Sequence, residues 1–369
     1  MDFLRKKLDH IRFWIVNEVT KIHLSERNSN LIEFDYLCIM SVAVVILNYN
    51  GRKFLADFLP IVLSTTQDAE IYVADNGSSD DSLALLASDF PSVSVLSWSE
   101  NLGYAGGYNY ALGQIKADYF VLMNSDIAPR KNWLEPLVAY FEANPLVAAA
   151  QPFLLDYNKP DYFEYAGAAG GFWDSYGYPF CRGRLFDTLE KNEGQYETSI
   201  VNWATGACLM VRASVFNLVG GLDAYFFAHM EEIDLCWRMQ RAGYTVAAVA
   251  ESEVLHVGGG TLNKENPFKT YLNFRNNLIL LYKNLEPSQR FSTLFVRMIL
   301  DGIAGIKFIT EGKFGSFFAI LKAHYGFYSY LFLEPKASSF QKNWIKSYSG
   351  NILVDYFLLG KKRFNQIKF

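Results

Sequence analysis

Four short apolar runs, each closed by polar residues and most followed by a helix-like segment, constrain this chain more than any other feature. They are "VAVVILN" (Val42–Asn48), the start of "AEIYVADNGSSDDS" to Ala74, "VSVLSW" (Val93–Trp98) and "DYFVLMNSD" ending at Asp126. Apolar runs of this length between turn formers read as interior strands. A helical segment to about Ser64, a Ser79/Asp80 cap ahead of a second helix, and the amphipathic "NWLEPLVAYFEANP" stopped by Pro145 supply the alternating helices. The expected fold is α/β, a doubly wound and largely parallel sheet. Ligands of such sheets bind outside the carboxyl ends of the strands. Asn48/Asn50, Asp75/Asn76 and Asn124/Ser125/Asp126 should therefore line one edge, although Asp126 alone is equally compatible with a turn or cap.

Hydrophobic residues make up 51% of the 369 and aromatics 16%, which excludes disorder. The four cysteines (Cys38, Cys181, Cys208, Cys236) are scattered without a CxxC pair. Neither zinc nor a disulfide framework is expected, and a reducing compartment fits. The net charge of −4 conceals an asymmetry. Residues 268–369 hold 15 Lys/Arg against 5 Asp/Glu, a surplus of +10, whereas residues 40–267 carry 13 basic and 27 acidic residues, or −14. A basic, aromatic-rich tail suits an anionic membrane surface, and a site in an acidic body disfavours nucleic acid.

The longest apolar stretch, "TLFVRMILDGIAGIKFI" (Thr293–Ile309), is broken by Arg297, Asp301 and Lys307, where a spanning helix would run about 20 apolar residues. "FLRKKLDHIRFWIV" has the look of a signal n-region, but Asn17 and Glu18 cut its apolar part short. The expected location is cytoplasmic, peripheral on the inner face of the cytoplasmic membrane. The repeating pattern begins at Met40, itself a candidate start. The expected divisions are an extension (1–39), a catalytic domain (40–267) and a helical membrane-associating region (268–369). Within the second, the Gly- and Tyr-rich stretch Ala166–Gly183 reads as a long irregular lid or binding surface.

Between the third and fourth runs, "ENLGYAGGYN" sets Gly103, Gly106 and Gly107 just before a helix N-terminus, a place for a diphosphate. The spacing is not GxGxxG, which disfavours a nicotinamide enzyme. Glu231, Glu232 and Asp234 crowd the start of another helix, with Arg238 one turn after Asp234. Asp234 and Arg238 read as an ordinary stabilising pair. The two glutamates, between "YFFAHM" and Ile233, are less easily explained that way. His256 follows an apolar strand and precedes three glycines, as a ligand or a structural residue.

"VVILNYNG", "VADNGSSDDS", "NLGYAGGYNYAL", "LMNSD", "TGACLMVRASVF", "GGLDAYFFAHMEEIDLCWRMQRAGY" and "HVGGGT" stand in the order found in family 2 glycosyltransferases. From Met40 to Asn284 the chain resembles that family, and within it the rhamnosyltransferase branch that builds surface polysaccharides. The resemblance implies a GT-A fold and inverting transfer of rhamnose or another hexose from a dTDP- or UDP-linked donor. The acceptor would be a glycan hydroxyl, lipid-linked in the growing polymer. It implies that Asp75, with Asn48 and Asn50, meets the donor's base or ribose, and that Asn101, Gly106, Gly107, Asn124 and Asp126 lie along the donor. Asp126 and His256 would hold Mg2+ or Mn2+. Glu232 would be the catalytic base with Glu231 beside it, and Trp203 and Gly206 would wall the acceptor side.

Two departures stand out. The first acid of the family's DxD is Asn124, which removes one charge from the metal site, and its Glu-Asp is Glu231-Glu232, which leaves open which acid is the base. A sugar nucleotidyltransferase would need a glycine-rich basic loop after the first strand, where "LNYNGRKF" has one glycine. A non-catalytic scaffold of the same fold is the remaining alternative.

Overall fold

Along the first strand, β1 (Val42–Asn48), Val42, Val44 and Ile46 join one apolar cluster and Ala43 and Val45 another, all buried. A strand that is apolar on both sides requires helices on both faces of its sheet. One face is covered by α1 (Arg52–Thr65), α2 (Ser82–Asp89) and α4 (Leu134–Ala143), through Leu55, Leu86 and Leu137 among others. The other carries α3 (Gly103–Leu112), α6 (Glu231–Arg241) and α7 (Pro267–Asn284). This computed structural model describes residues 40–258, 266–333 and 347–369. The 1–39 extension, Cys38 and the glycines from residue 259 lie outside the described residues.

The remaining strands of this sheet are β2 (Glu70–Asn76), β3 (Ser94–Trp98), β4 (Tyr119–Asn124), β5 (Ile127–Pro129), β6 (Val147–Asp156), β11 (Ser199–Val201), β12 (Cys208–Arg212) and β13 (Thr245–His256). Their order is β11-β13-β6-β12-β4-β1-β2-β3, with β5 on β13. The expected doubly wound α/β core is present, with a C-terminal helical extension. Pairs among β1, β2, β3 and β4 are parallel, as is β13 with β6, while β12 runs against both β4 and β6. The sheet is therefore mixed in its second half.

The stretch read as an irregular lid is a second, antiparallel sheet: β7 (Gly171–Trp173), β8 (Pro179–Cys181), β9 (Arg184–Leu185) and β10 (Thr188–Leu189). The chain's last residues strap it down. Tyr348 donates its backbone N–H to Trp173 O (3.0 Å), Ile352 N–H donates to Asp174 Oδ2 (3.0 Å), and the Phe364 and Phe369 rings pack on Phe172. Lys361 Nζ lies 2.5 Å from Asp355 Oδ1, and Lys362 Nζ stands 3.4 Å from the Tyr356 ring centroid. Residue 268 falls inside α7, whose Leu278–Leu281 segment belongs to the main core, and residues from Met40 onward form one compact unit. Two long helices follow, α8 (Pro287–Thr310) and α9 (Phe314–Leu333).

Candidate active site

Because β1, β2 and β4 are parallel neighbours, their carboxyl ends arrive at one edge. Asn48 donates from Nδ2 to Asp75 Oδ2 (2.9 Å) and Ser78 Oγ (3.2 Å), and Asp75 Oδ1 accepts from Ser78 N–H (3.0 Å). Asn50, exposed and left-handed at φ +50°, accepts the Ser79 N–H (2.7 Å). These three expected donor-side residues are thus brought together. Asn48 Oδ1 is buried without a partner.

The α3 N-terminus is differently used than expected. The Phe227 carbonyl accepts from the N–H groups of Tyr104 (2.7 Å) and Ala105 (3.2 Å), and Asn101 Oδ1 accepts from Gly103 N–H (2.8 Å). The helix donors intended for a diphosphate are engaged inside the protein. Gly107 packs instead on β1: a Cβ there would lie 2.9 Å from Leu47 Cδ1. At Gly106 a Cβ would meet only the Leu102 side chain, at 3.0 Å. Asn101 also accepts from Asn76 Nδ2 (3.0 Å), so it ties β2 to α3.

Past β4, Asp126 and His256 meet because β5 pairs antiparallel with the end of β13. Asp126 Oδ1 is 3.2 Å from His256 Nε2, and Glu164 Oε2 is 3.1 Å from His256 Nδ1; all three residues are buried. Burial alone would raise the Asp126 pKa, but the imidazole holds it below the usual carboxylate range. Burial would lower that of His256, yet the two carboxylates hold it up to about 10. Two ligands about 2.1 Å from one Mg2+ or Mn2+ stand about 3 Å apart, so this oxygen and nitrogen fit a shared ion. A carboxylate behind the other ring nitrogen is the usual support of a ligating histidine. Among the described residues, no group of three or more His, Cys, Asp or Glu could hold a metal. Most coordination positions would fall to diphosphate oxygens and water. Glu164 was hidden in sequence by its place in the loop-like segment after β6.

Asn124 donates its backbone N–H to Ala207 O (2.9 Å), which sets the Trp203–Ala207 loop beside β4. At Gly206, a Cβ would stand 2.7 Å from Tyr104 Oη and 3.6 Å from Glu232 Cβ, so no side chain fits. The Tyr104 hydroxyl donates to Gly206 O (2.5 Å). Gly206, Tyr104 and Glu232 thus form one wall. Trp203 does not join it. It is 5% exposed, sits in the core and donates its indole N–H to Phe172 O (2.9 Å). The family resemblance implied a wall, but the close approach of Gly171 buries it.

The segment before α6 is strained: Phe227, His229 and Met230 have φ of +64°, +69° and +75°, a region costly for residues with a Cβ. Helix α7 holds it. Asn276 donates from Nδ2 to the carbonyls of Phe226, Ala228 and His229 (2.9, 2.9 and 2.7 Å), and Arg275 Nη2 to those of Tyr225 and Phe226 (3.0 and 3.1 Å). The sequence signal was the run of polar residues in "FRNN" within an otherwise buried helix. At the end of this segment Glu231 and Glu232 each bury an Oε2 with no partner. Burial and then repulsion by Glu232 push Glu231 far above the usual range; burial also raises Glu232, to about 7, against backbone N–H groups at the helix start. One turn on, Arg238 Nε meets Asp234 at 2.7 Å, the stabilising pair expected.

Residues 43–218 match the family model described as glycosyl transferase family 2. An N-acetylglucosaminyl-diphospho-decaprenol L-rhamnosyltransferase of Mycobacterium tuberculosis is 28% identical over 58% of this chain and 75% of its own. The low-salt glycan biosynthesis hexosyltransferase Agl10 of Haloferax volcanii is 23% identical over 74% of this chain and 86% of its own. The rhamnosyltransferase WbbL of Escherichia coli is 24% identical over 58% and 83%. The solved structure of GalNAc-T7 with UDP, GalNAc and Mn2+ aligns at a TM-score of 0.49 and 17% identity over 59% of this chain and 43% of that one, too weak a likeness to argue from. With residues 43–218 matched to that family model and three curated transferases aligned along most of their own length, the chain is similar to glycosyl transferase family 2, and that similarity supports transfer of a sugar from a nucleoside-diphosphate-sugar donor to an acceptor.

Proposed function

We propose that this chain is an inverting, metal-assisted hexosyltransferase that moves rhamnose, or another hexose, from a dTDP- or UDP-linked donor to a hydroxyl of a lipid-linked glycan. The observation that carries this reading is the pair of buried carboxylate oxygens without a partner, Glu231 Oε2 and Glu232 Oε2. Buried acceptors are ordinarily satisfied, and exceptions cluster where a substrate brings the donor. Rhamnose and a lipid-diphosphate acceptor are supported by the name of the mycobacterial relative; the haloarchaeal name supports only a hexose. Such an acceptor would put the reaction at the anionic inner face of the cytoplasmic membrane.

In the transfer, Glu232 takes the proton of the acceptor hydroxyl as that oxygen bonds to the anomeric carbon. The bond from that carbon to the diphosphate oxygen breaks on the opposite face, and its electron pair leaves with the nucleoside diphosphate. A carboxylate raised to about 7 is half ionised near neutrality and basic enough to accept that proton. At Glu231 burial and then repulsion by Glu232 favour the neutral form, which spares Glu232 a neighbouring charge. Asp75, Asn48 and Asn50 orient the nucleoside, and Asn124 and Asp126 lie along the diphosphate. A divalent ion held by Asp126 and His256, with Glu164 behind the ring, would offset charge on the leaving diphosphate. Gly206, Tyr104 and Glu232 form the wall against which the acceptor would lie.

The test incubates the protein with Mg2+ or Mn2+ and a panel of nucleotide sugars, with and without lipid-linked glycan. Release of nucleoside diphosphate, and a product of inverted anomeric configuration by NMR, is the expected result. Pyrophosphate release would mean nucleotidyl exchange, and no turnover with any donor would favour a scaffold.

A further inference from the structure

Helices α8 and α9 each have an inner and an outer side of opposite character. On α8 the buried residues Leu294, Arg297, Asp301 and Gly305 recur every three or four positions. Phe291, Phe295, Ile299, Ile303 and Ile306 recur at the same interval on the other side, 50–82% exposed. On α9, Ala319, Ala323, Phe327 and Tyr330 are buried, while Phe318, Tyr325 and Phe332 are 64%, 75% and 86% exposed. A helix facing water normally turns charge outward. Here the exposed positions of the two helices include Lys307 and Lys322 but no carboxylate. The acid within α8, Asp301, is buried against Arg297 (3.1 Å) and His324 (3.2 Å). Glu311, in the turn between the helices, is met by Lys307 (3.7 Å) and Lys313 (3.3 Å). Apolar patches of this extent mark an interaction site.

We infer that the outer face of α8 and α9 lies in the interfacial layer of an anionic phospholipid bilayer, with Phe291, Phe295, Phe318 and Phe332 among the acyl chains. Charge selects this occupant. The exposed side of α8 and α9 carries Lys307 and Lys322 and no carboxylate, which an anionic leaflet attracts, while the −14 of residues 40–267 is repelled by it, which orients the molecule. Among the described residues no helix is long and apolar enough to cross a membrane. Helices with one apolar side and lysines at its margin lie in the plane of the interface. At the end of the chain Lys361 meets Asp355 and Lys362 lies over the Tyr356 ring, so apolar insertion by α8 and α9 dominates over these lysines. The inference deepens the reading of a lipid-linked acceptor. Vesicle binding is measured without donor or acceptor, so the two can fail separately.

The experiment is co-sedimentation of the full chain with vesicles of phosphatidylcholine alone or mixed with phosphatidylglycerol. The wild type is expected on both, at least tenfold more on the anionic ones at low salt, and to remain partly bound at high salt. A Phe295→Ser/Phe318→Ser/Phe332→Ser variant should lose tenfold or more in partitioning under every condition. Its unfolding midpoint and donor hydrolysis should not change, because these side chains leave the core intact. Lys361→Ala/Lys362→Ala should bind nearly as the wild type does. Three results would overturn the inference: no binding by the wild type, equal binding by the triple-serine variant, or binding that is lost when residues 1–39 are deleted. A stable wild-type dimer that the same variant converts to monomer, without vesicle binding, would assign the face to a second copy instead.

Discussion

Within one turn of α6, Glu231 and Glu232 each bury an oxygen that nothing meets, while Asp234 accepts from Arg238 (2.7 Å), Lys283 (3.0 Å) and Asn284 (2.8 Å). All three are acids at the start of the same helix, and the helix dipole favours charge on each. Burial raises the two glutamates, whereas at Asp234 the Arg238 and Lys283 cations overcome burial and bring the carboxyl down to about 2. An acid that supports the fold has its partners supplied by the protein. An acid reserved for chemistry is left for a substrate to complete.

The largest test of that contrast is Glu232→Gln. It should lower kcat by about 10²–10⁴-fold while donor binding persists. It should also remove the ionisation near pH 7 below which the wild-type rate falls. A carboxyl raised by folding opposes folding once ionised, above its unfolded value near 4.3. The Gln variant should therefore unfold at the same temperature or higher at pH 8. If Glu231→Gln abolishes turnover and Glu232→Gln does not, the base moves by one residue.

Asp234→Ala should behave oppositely, losing about 3–5 kcal/mol of stability because Lys283 and Arg238 stay buried without their anion. The Asp234 contribution is fully present above its unfolded value of about 3.9 and is lost as pH falls through about 2. Denaturant titrations from pH 7 down to about pH 2 check both statements. An unchanged unfolding midpoint for the variant would break the contrast.

Asn276→Ala lies between the two. It removes the amide that binds three carbonyls of the strained turn and should cost about 1–3 kcal/mol. Because the turn aims the glutamates, kcat should fall more than KM rises. Loss of stability with kcat unchanged would show that the turn keeps its shape without Asn276. Lys53→Ala sets the lower limit: its exposed pair with Asp57 (2.9 Å) contributes about 0.5 kcal/mol at most.

What the sequence displayed was local. The runs "VAVVILN", "AEIYVA" and "DYFVLMNSD" form strands because their period and boundaries lie within a few residues. The Asp234–Arg238 pair was visible because helical geometry sets its spacing. Glu164 could not be seen, since its position behind His256 depends on how the segment after β6 folds back. Nor could the closure of α3 by Phe227, a residue over 120 positions away, or the burial of Trp203 against Gly171. Nor could the meeting of Lys361 with Asp355 and of Lys362 with the Tyr356 ring be seen.

The wall around Gly206 is stitched across long stretches of chain. Tyr104 reaches Gly206 over a separation of 102 residues, and Asn109 reaches Leu222 O over 113. Closing loops of that size costs entropy before any contact repays it, and chains rich in such contacts fold slowly. The strained turn depends further on α7, which follows it in the chain. Catalytic competence should therefore be the last property to return on refolding, lagging the recovery of helical circular dichroism. During synthesis, the first half of the sheet would leave the ribosome with the start of α3 still waiting for its cap.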